Sequence, residues 1–99
     1  MRTMMTVSFP TASANDSVRD GSMPKILGDT LERLKPEAAF FTTHNGLRTA
    51  YIVFDMKDAS DMPSIAEPFF MGFNAGVSFS PVMNTDDLKA GLQKLQSAK

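Results

Sequence analysis

Ala38-Ala39-Phe40-Phe41-Thr42-Thr43-His44-Asn45-Gly46-Leu47-Arg48-Thr49-Ala50-Tyr51-Ile52-Val53-Phe54-Asp55 consists of two runs rich in aromatic and β-branched residues, divided by Asn45-Gly46. Asn-Gly tolerates the positive φ that a type I′ turn requires at both central positions, so the stretch predicts a β-hairpin. A two-residue turn also sets the register, pairing His44 with Leu47, Thr42 with Thr49, Phe40 with Tyr51 and Ala38 with Val53. Because side chains alternate along a strand, these eight residues share one face. Ala39, Phe41, Ala50, Ile52 and Phe54 share the other.

Upstream, Thr3 to Phe9 alternates, with Met5, Val7 and Phe9 opposed to Met4, Thr6 and Ser8, which predicts a half-buried strand. Thr11 to Gly21 is small and polar and reads as a loop or loose helical turn or, over residues 15–21, as an extension of the helix that follows. Met23, Leu27, Leu31 and Leu34 then recur at helical spacing. Ser22 is placed to cap this helix, Pro24 falls in its first turn, and Pro36 ends it at Lys35. Downstream, Ser60 to Phe73 puts Met62, Ile65, Ala66, Phe69 and Phe73 on one face. Ser60 is the cap, Pro63 lies in the first turn, and a bend is expected at Pro68. Ala75 to Val82 alternates as a fourth strand with Pro81 near its end. Thr85-Asp86-Asp87 is a capped, acidic start, Thr85 first, to a last helix carrying Leu88, Leu92 and Leu95, with lysine near its end, as the macrodipole favours. The order is β-α-β-β-α-β-α. It predicts a single α+β domain over residues 1–99, a ferredoxin-like βαββαβ unit with an extra C-terminal helix and a four-stranded antiparallel sheet.

The face holding Met5, Val7, Phe9, Ala50, Ile52, Phe54, Val77 and Phe79 is expected against the helices. The opposite face is the unusual one. A solvent-facing antiparallel sheet normally carries Lys, Glu and Arg, whereas this one carries Met4, Phe40, Tyr51, Val53, threonines and serines. With no chain left to cover it, the expected cover is a second copy, two such sheets closing into a barrel in a homodimer. The alternative is a solvated face of Thr and Ser.

The layout resembles the dimeric α/β-barrel superfamily, which includes small monooxygenases, isomerases and decarboxylases. The resemblance spans nearly the whole chain. It is most specific at Lys35-Pro36-Glu37-Ala38-Ala39-Phe40-Phe41, at Ser64-Ile65-Ala66-Glu67-Pro68-Phe69-Phe70 continuing to Asn74-Ala75-Gly76-Val77, and at Pro81-Val82-Met83. These stretches are similar to small bacterial members of the superfamily that have no assigned activity. The resemblance therefore implies a fold and a dimer but no reaction.

The 99 residues have ten Lys and Arg, eleven Asp and Glu and no cysteine. Their basic residues are scattered without a run, so no stripe exists to neutralise phosphates, and nucleic acid is not an expected partner. Without cysteine there is no disulfide, no thiolate nucleophile and no Cys-based zinc site, which suits a reducing compartment, and a cytoplasmic location is expected. No window has a signal peptide's apolar stretch or the run of ~18 apolar residues that a membrane span needs.

The candidate site follows from the uncovered face. Tyr51, Thr42, Thr49, Ser78 and Ser80 place hydroxyls around an apolar surface, which suits a small neutral or aromatic organic ligand; the alternative is packing at an interface. His44, the lone histidine, sits beside the hairpin turn. One histidine does not make a metal site, and neither metal nor cofactor is predicted. Glu67 precedes Pro68 within an apolar helix and is the best-placed candidate for acid or base work, against a plain role on a solvated helix face. No phosphate loop, nucleophile elbow or metal-spaced acid cluster accompanies it. Two functions are open at this point. One is a dimeric binding or regulatory protein. The other is a cofactor-independent enzyme of monooxygenase or isomerase type, suggested by fold analogy alone.

Overall fold

In the computed structural model, which describes residues 1–98, the chain runs β1 (Arg2–Phe9), α1 (Thr11–Asp20), α2 (Ser22–Leu34), β2 (Ala38–His44) and β3 (Leu47–Asp55). It continues through a 3-10 turn at Ala59–Asp61 to α3 (Met62–Phe73), β4 (Gly76–Pro81) and α4 (Thr85–Ser97). The four strands form one antiparallel sheet in the order β2-β3-β1-β4. The hairpin has the register its turn dictates, from Ala38 opposite Val53 to His44 opposite Leu47. Asn45 (φ 53°) and Gly46 (φ 76°) both lie in the left-handed region, as a type I′ turn needs.

The core lies on one side of this sheet. Met5, Val7 and Phe9 of β1 and Ala50, Ile52 and Phe54 of β3 point into it, joined by Ile65, Phe69 and Phe73 of α3, Met23 of α2 and Ala14 of α1. Phe9 meets Phe73 edge-on at 5.6 Å between ring centres and Phe69 at 6.3 Å, an arrangement that aligns ring edges with ring faces. The other edge of the core is closed by half-buried Leu27, Leu31 and Leu34 of α2 and by Val77 and Phe79 of β4. Phe41 also points to this side, yet it is 54% exposed because the hairpin end extends beyond the helical cover.

Residues 11–20 form a regular helix of their own where a loop or loose helical turn was expected. The stripe α1 buries is small, Ala14 and Ser17, so no large apolar residue marks its period. The serines serve the backbone instead: Ser13 Oγ donates to the Phe73 carbonyl at 2.6 Å and Ser17 Oγ to the Ser13 carbonyl at 3.0 Å. Gly21, at φ 83°, ends α1 and starts α2 in a single left-handed residue. Consequently Ser22 is already helical and does not cap α2. α3 likewise starts at Met62, two residues after the expected Ser60 cap, because the 3-10 turn intervenes.

Pro68 lies inside α3 and has no amide to give to the Ser64 carbonyl one turn earlier. Arg33 of α2 supplies the missing donor: its guanidinium reaches the Ser64 carbonyl at 3.2 Å and the Ser64 hydroxyl at 2.7 Å.

α4 is capped one residue earlier than the sequence suggested. Asn84 Oδ1 accepts from the Asp87 amide at 2.9 Å while the Asp87 carboxylate accepts from the Asn84 amide at 3.0 Å, a reciprocal capping box. No residue of α4 is buried. The radius of gyration, 15.9 Å over a long dimension of 56 Å, exceeds the roughly 13 Å of a compact chain of this length. An unpacked terminal helix accounts for the direction of that difference.

Candidate functional site

Strand alternation and register together assemble the face of the sheet turned away from α1, α2 and α3. Three cross-strand rows make up its middle. The first is Ala38, Val53, Met4 and Ser80; the second is Phe40, Tyr51, Thr6 and Ser78; the third is Thr42, Thr49, Ser8 and Gly76. None of these twelve residues is charged. Side chains in such rows stand about 4.5–5.5 Å apart at Cβ, close enough to act as one surface.

The sequence candidates on this face differ in exposure. Phe40 is 65% exposed, and Thr42, Ser78 and Ser80 are open to solvent. Tyr51 is half-buried between Phe40 and Thr6. Thr49 is buried at 4% exposure on a central strand, its hydroxyl donating to the Leu47 carbonyl at 3.1 Å. His44 is exposed at the turn end of the same face, opposite Leu47. Glu67 is not part of this surface. It is an exposed residue of α3, on the helical side of the sheet, so its carboxylate is not joined to the hydroxyls of Tyr51 or Thr42.

Charge is confined to the far end of the face. Arg2, opposite Asp55 across the strands, pairs with both Glu37 and Asp87, and these carboxylates raise its pKa, the hydrogen bond to Glu37 contributing most. Asp55 accepts from the Lys57 ammonium and from the N-terminal ammonium at 2.6 Å, and these bonds, Lys57 first, hold its carboxyl at about 2. Among the described residues, no three His, Cys, Asp or Glu side chains gather as a metal site would require.

One concavity, of about 540 Å³, borders the charged end of this face at Arg2, Val82, Met83 and Asp87, and the others lie away from its uncharged middle. A groove of about 170 Å³ between α2 and α3 is lined by Ile26, Thr30, Arg33, Ser64, Ile65 and Pro68. Ser80 borders a separate depression of about 270 Å³ with Thr3, Met56, Met62 and Phe79. Thr42 and Thr49 border a third, of about 330 Å³, with Phe9, Met23, Leu27 and Phe41. The structure thus gathers six of the seven candidates on one face, His44 at its turn end, but on an open sheet rather than around a common cavity. Sequence reasoning missed the Arg2, Glu37 and Asp87 cluster, whose members are far apart in the chain. It also missed that Thr6 stands directly between Tyr51 and Ser78, which needs the strand order.

No helix among the described residues is long and apolar enough to cross a membrane. Comparison with known proteins finds no matching family model, no matching curated protein and no matching solved structure. The chain is an α+β protein with a four-stranded antiparallel sheet and four helices.

Proposed function

We propose that this chain is a ferredoxin-like domain that pairs its open sheet face with that of a second copy, and that the space between the two sheets binds a small neutral or aromatic compound. One observation carries the proposal: the middle of that face has no charge, while it exposes Phe40 and sets Tyr51 beside Met4, Thr6 and Val53. Exposed sheet faces and edges are normally protected by charge, and an uncharged one is a surface that associates. The strand order β2-β3-β1-β4 with α1, α2 and α3 on one side supports the ferredoxin-like reading, since each helical crossover skips one strand.

Hydroxyl groups set the ligand chemistry. A buried hydroxyl left without a partner costs about 1–3 kcal/mol, so Thr42, Tyr51, Ser78 and Ser80 facing a second sheet must find partners in water, in the other copy or in a ligand. The ligand class is therefore an uncharged molecule with an aromatic or aliphatic body and one or two polar atoms. Binding or regulation, rather than catalysis, is favoured because Glu67 lies away from this surface.

Light scattering at micromolar concentration tests the pairing and should give twice the chain mass of 10.8 kDa. Val53→Lys should yield monomer, because an unpaired ammonium in an interface costs on the order of several kcal/mol. A 1-naphthol fluorescence titration tests the chamber: saturable binding to wild type, lost in Val53→Lys, is the expected result. A monomeric wild type refutes the pairing. A dimer whose affinity for 1-naphthol survives Val53→Lys unchanged refutes the chamber.

A further inference from the structure

We propose that α4 is an arm that lays its leucine stripe on a second copy of this chain, completing an interface that the sheet face begins. The proposal rests on the sheet pairing above. Leu88, Leu92 and Leu95 follow at spacings of four and three on one side of α4, and they are 46%, 52% and 64% exposed. Met83, just before the helix, is 66% exposed. A helix of 13 residues is marginal in water by itself, and in proteins it is the packing of the apolar stripe that holds it. Within the chain, no residue of that stripe is buried.

Three observations select a second copy as the occupant. First, the base of α4 is fixed on the open side of the sheet. Arg2 projects on the same side as Met4 and binds Asp87 in the first turn, and the Val82 amide donates to the Arg2 carbonyl at 3.1 Å. The helix therefore starts at the edge of the face that a facing sheet would cover. Second, the fixing is stiff, because the Asn84 and Asp87 capping box orders the first turn before any leucine is reached. Third, the areas match. Four strands about 4.8 Å apart and about seven residues long give a flat footprint of roughly 450 Å², about half of the ~800 Å² per partner of a standard interface. A stripe about 20 Å long and 10 Å wide adds roughly 200 Å², and receiving the partner's stripe adds the same again, which reaches that size.

The charge pattern fits this geometry. Lys89 and Lys94 fall off the leucine stripe, so burial of Leu88, Leu92 and Leu95 leaves both ammonium groups at the rim in water.

The test uses the full chain. Sedimentation equilibrium compares wild type, Leu88→Lys with Leu92→Lys, and Val53→Lys, with circular dichroism melting to confirm that the core is intact; α4 contributes no buried residue, so the leucine variant should melt as a monomeric control does. Hydrogen exchange then follows the α4 amides. The expected outcome is a dimer in wild type, a dimer constant weakened at least tenfold in the leucine variant, and α4 amides protected in wild type but not in monomeric Val53→Lys. A leucine variant that dimerises as tightly as wild type, with α4 unprotected, overturns the arm and leaves the sheet pairing standing. A dimer that survives Val53→Lys but not the leucine change shows α4 pairing by itself and overturns the sheet pairing, and with it the arm as the completion of a sheet interface. A monomeric wild type that co-sediments with phosphatidylglycerol vesicles overturns the second copy as occupant in favour of a lipid surface.

Discussion

Pro68 and Arg33 offer the sharpest test of how this fold is held. A proline in a helix interior costs about 3 kcal/mol relative to alanine, partly through the hydrogen bond it cannot make. Here the carbonyl it deprives, Ser64, receives the Arg33 guanidinium at 3.2 Å. Arg33→Ala should therefore destabilise the protein. A net hydrogen bond is worth about 0.5–1.5 kcal/mol, and because Arg33 is exposed the lower half of that range applies, about 0.5–1 kcal/mol. For a domain of this size that lowers the melting midpoint by about 2–8 °C. Pro68→Ala should act in the opposite direction, by about 1–3 kcal/mol, since it restores the amide to Ser64. The decisive quantity is the coupling. Once alanine supplies the amide, the carbonyl no longer needs Arg33, so the penalty of Arg33→Ala should fall by about half or more in the Pro68→Ala background. Loss of the Arg33 stem and of its 2.7 Å bond to the Ser64 hydroxyl occurs in both backgrounds and cancels. Urea unfolding of the four proteins at one fixed concentration gives the cycle. Equal penalties in the two backgrounds would show that Arg33 is not the donor that replaces the missing amide.

Gly46→Val should cost about 1–3 kcal/mol: its added Cβ meets open space, so the cost arises from φ 76° alone, and an unshifted melting midpoint would remove the type I′ turn. Phe69→Ala, at a fully buried site touching Phe9 and Phe73, should cost about 3–5 kcal/mol in urea unfolding. A loss below about 1 kcal/mol would mean that α3 does not pack on β1 as described. Asp55 is held at about 2 by Lys57 and the N-terminal ammonium. Its contribution to stability is thus fully present above the ordinary carboxylate value of about 3.9 and is lost as pH falls through 2. The stability difference between wild type and Asp55→Asn should shrink across that window, and a carbon-detected NMR titration placing Asp55 near 4 would contradict the pairing.

What was legible in the sequence was local. The Asn45-Gly46 turn determines four cross-strand pairs by geometry alone, and all four are present. Large apolar residues at helical spacing marked α2 and α3. α1 escaped because it buries Ala14 and Ser17, whose small size lets the helix lie close to its neighbours but leaves no apolar period to see. Cap positions shifted for a related reason. Ser22, Ser60 and Thr85 are all competent caps, but the backbone chose Gly21, Asp61 and Asn84 once a left-handed residue, a 3-10 turn and a reciprocal Asp87 bond were available.

The candidate site was legible by half for a physical reason. The turn pairs Phe40 with Tyr51 and Thr42 with Thr49, but Thr6 and Ser78 join that row only because β1 takes the place between β3 and β4. β1 belongs in the centre because Met5 and Val7 are both at 0% exposure and need helices above and strands on each side. Nothing in the spacing of β1 relative to the hairpin states this. A central β1 then has a consequence for charge. Its one charged residue, Arg2, stands at the strand's first position, where it can reach Glu37 beside β2 and Asp87 in α4 at once. The same strand therefore supplies the neutral middle of the open face and the cation that ties α4 to its end. In that arrangement, Arg2→Ala should loosen α4 at its base without altering the twelve uncharged residues. Faster exchange confined to the first turn of α4 is the expected signature, and unchanged exchange there would show that the capping box alone holds the helix in place.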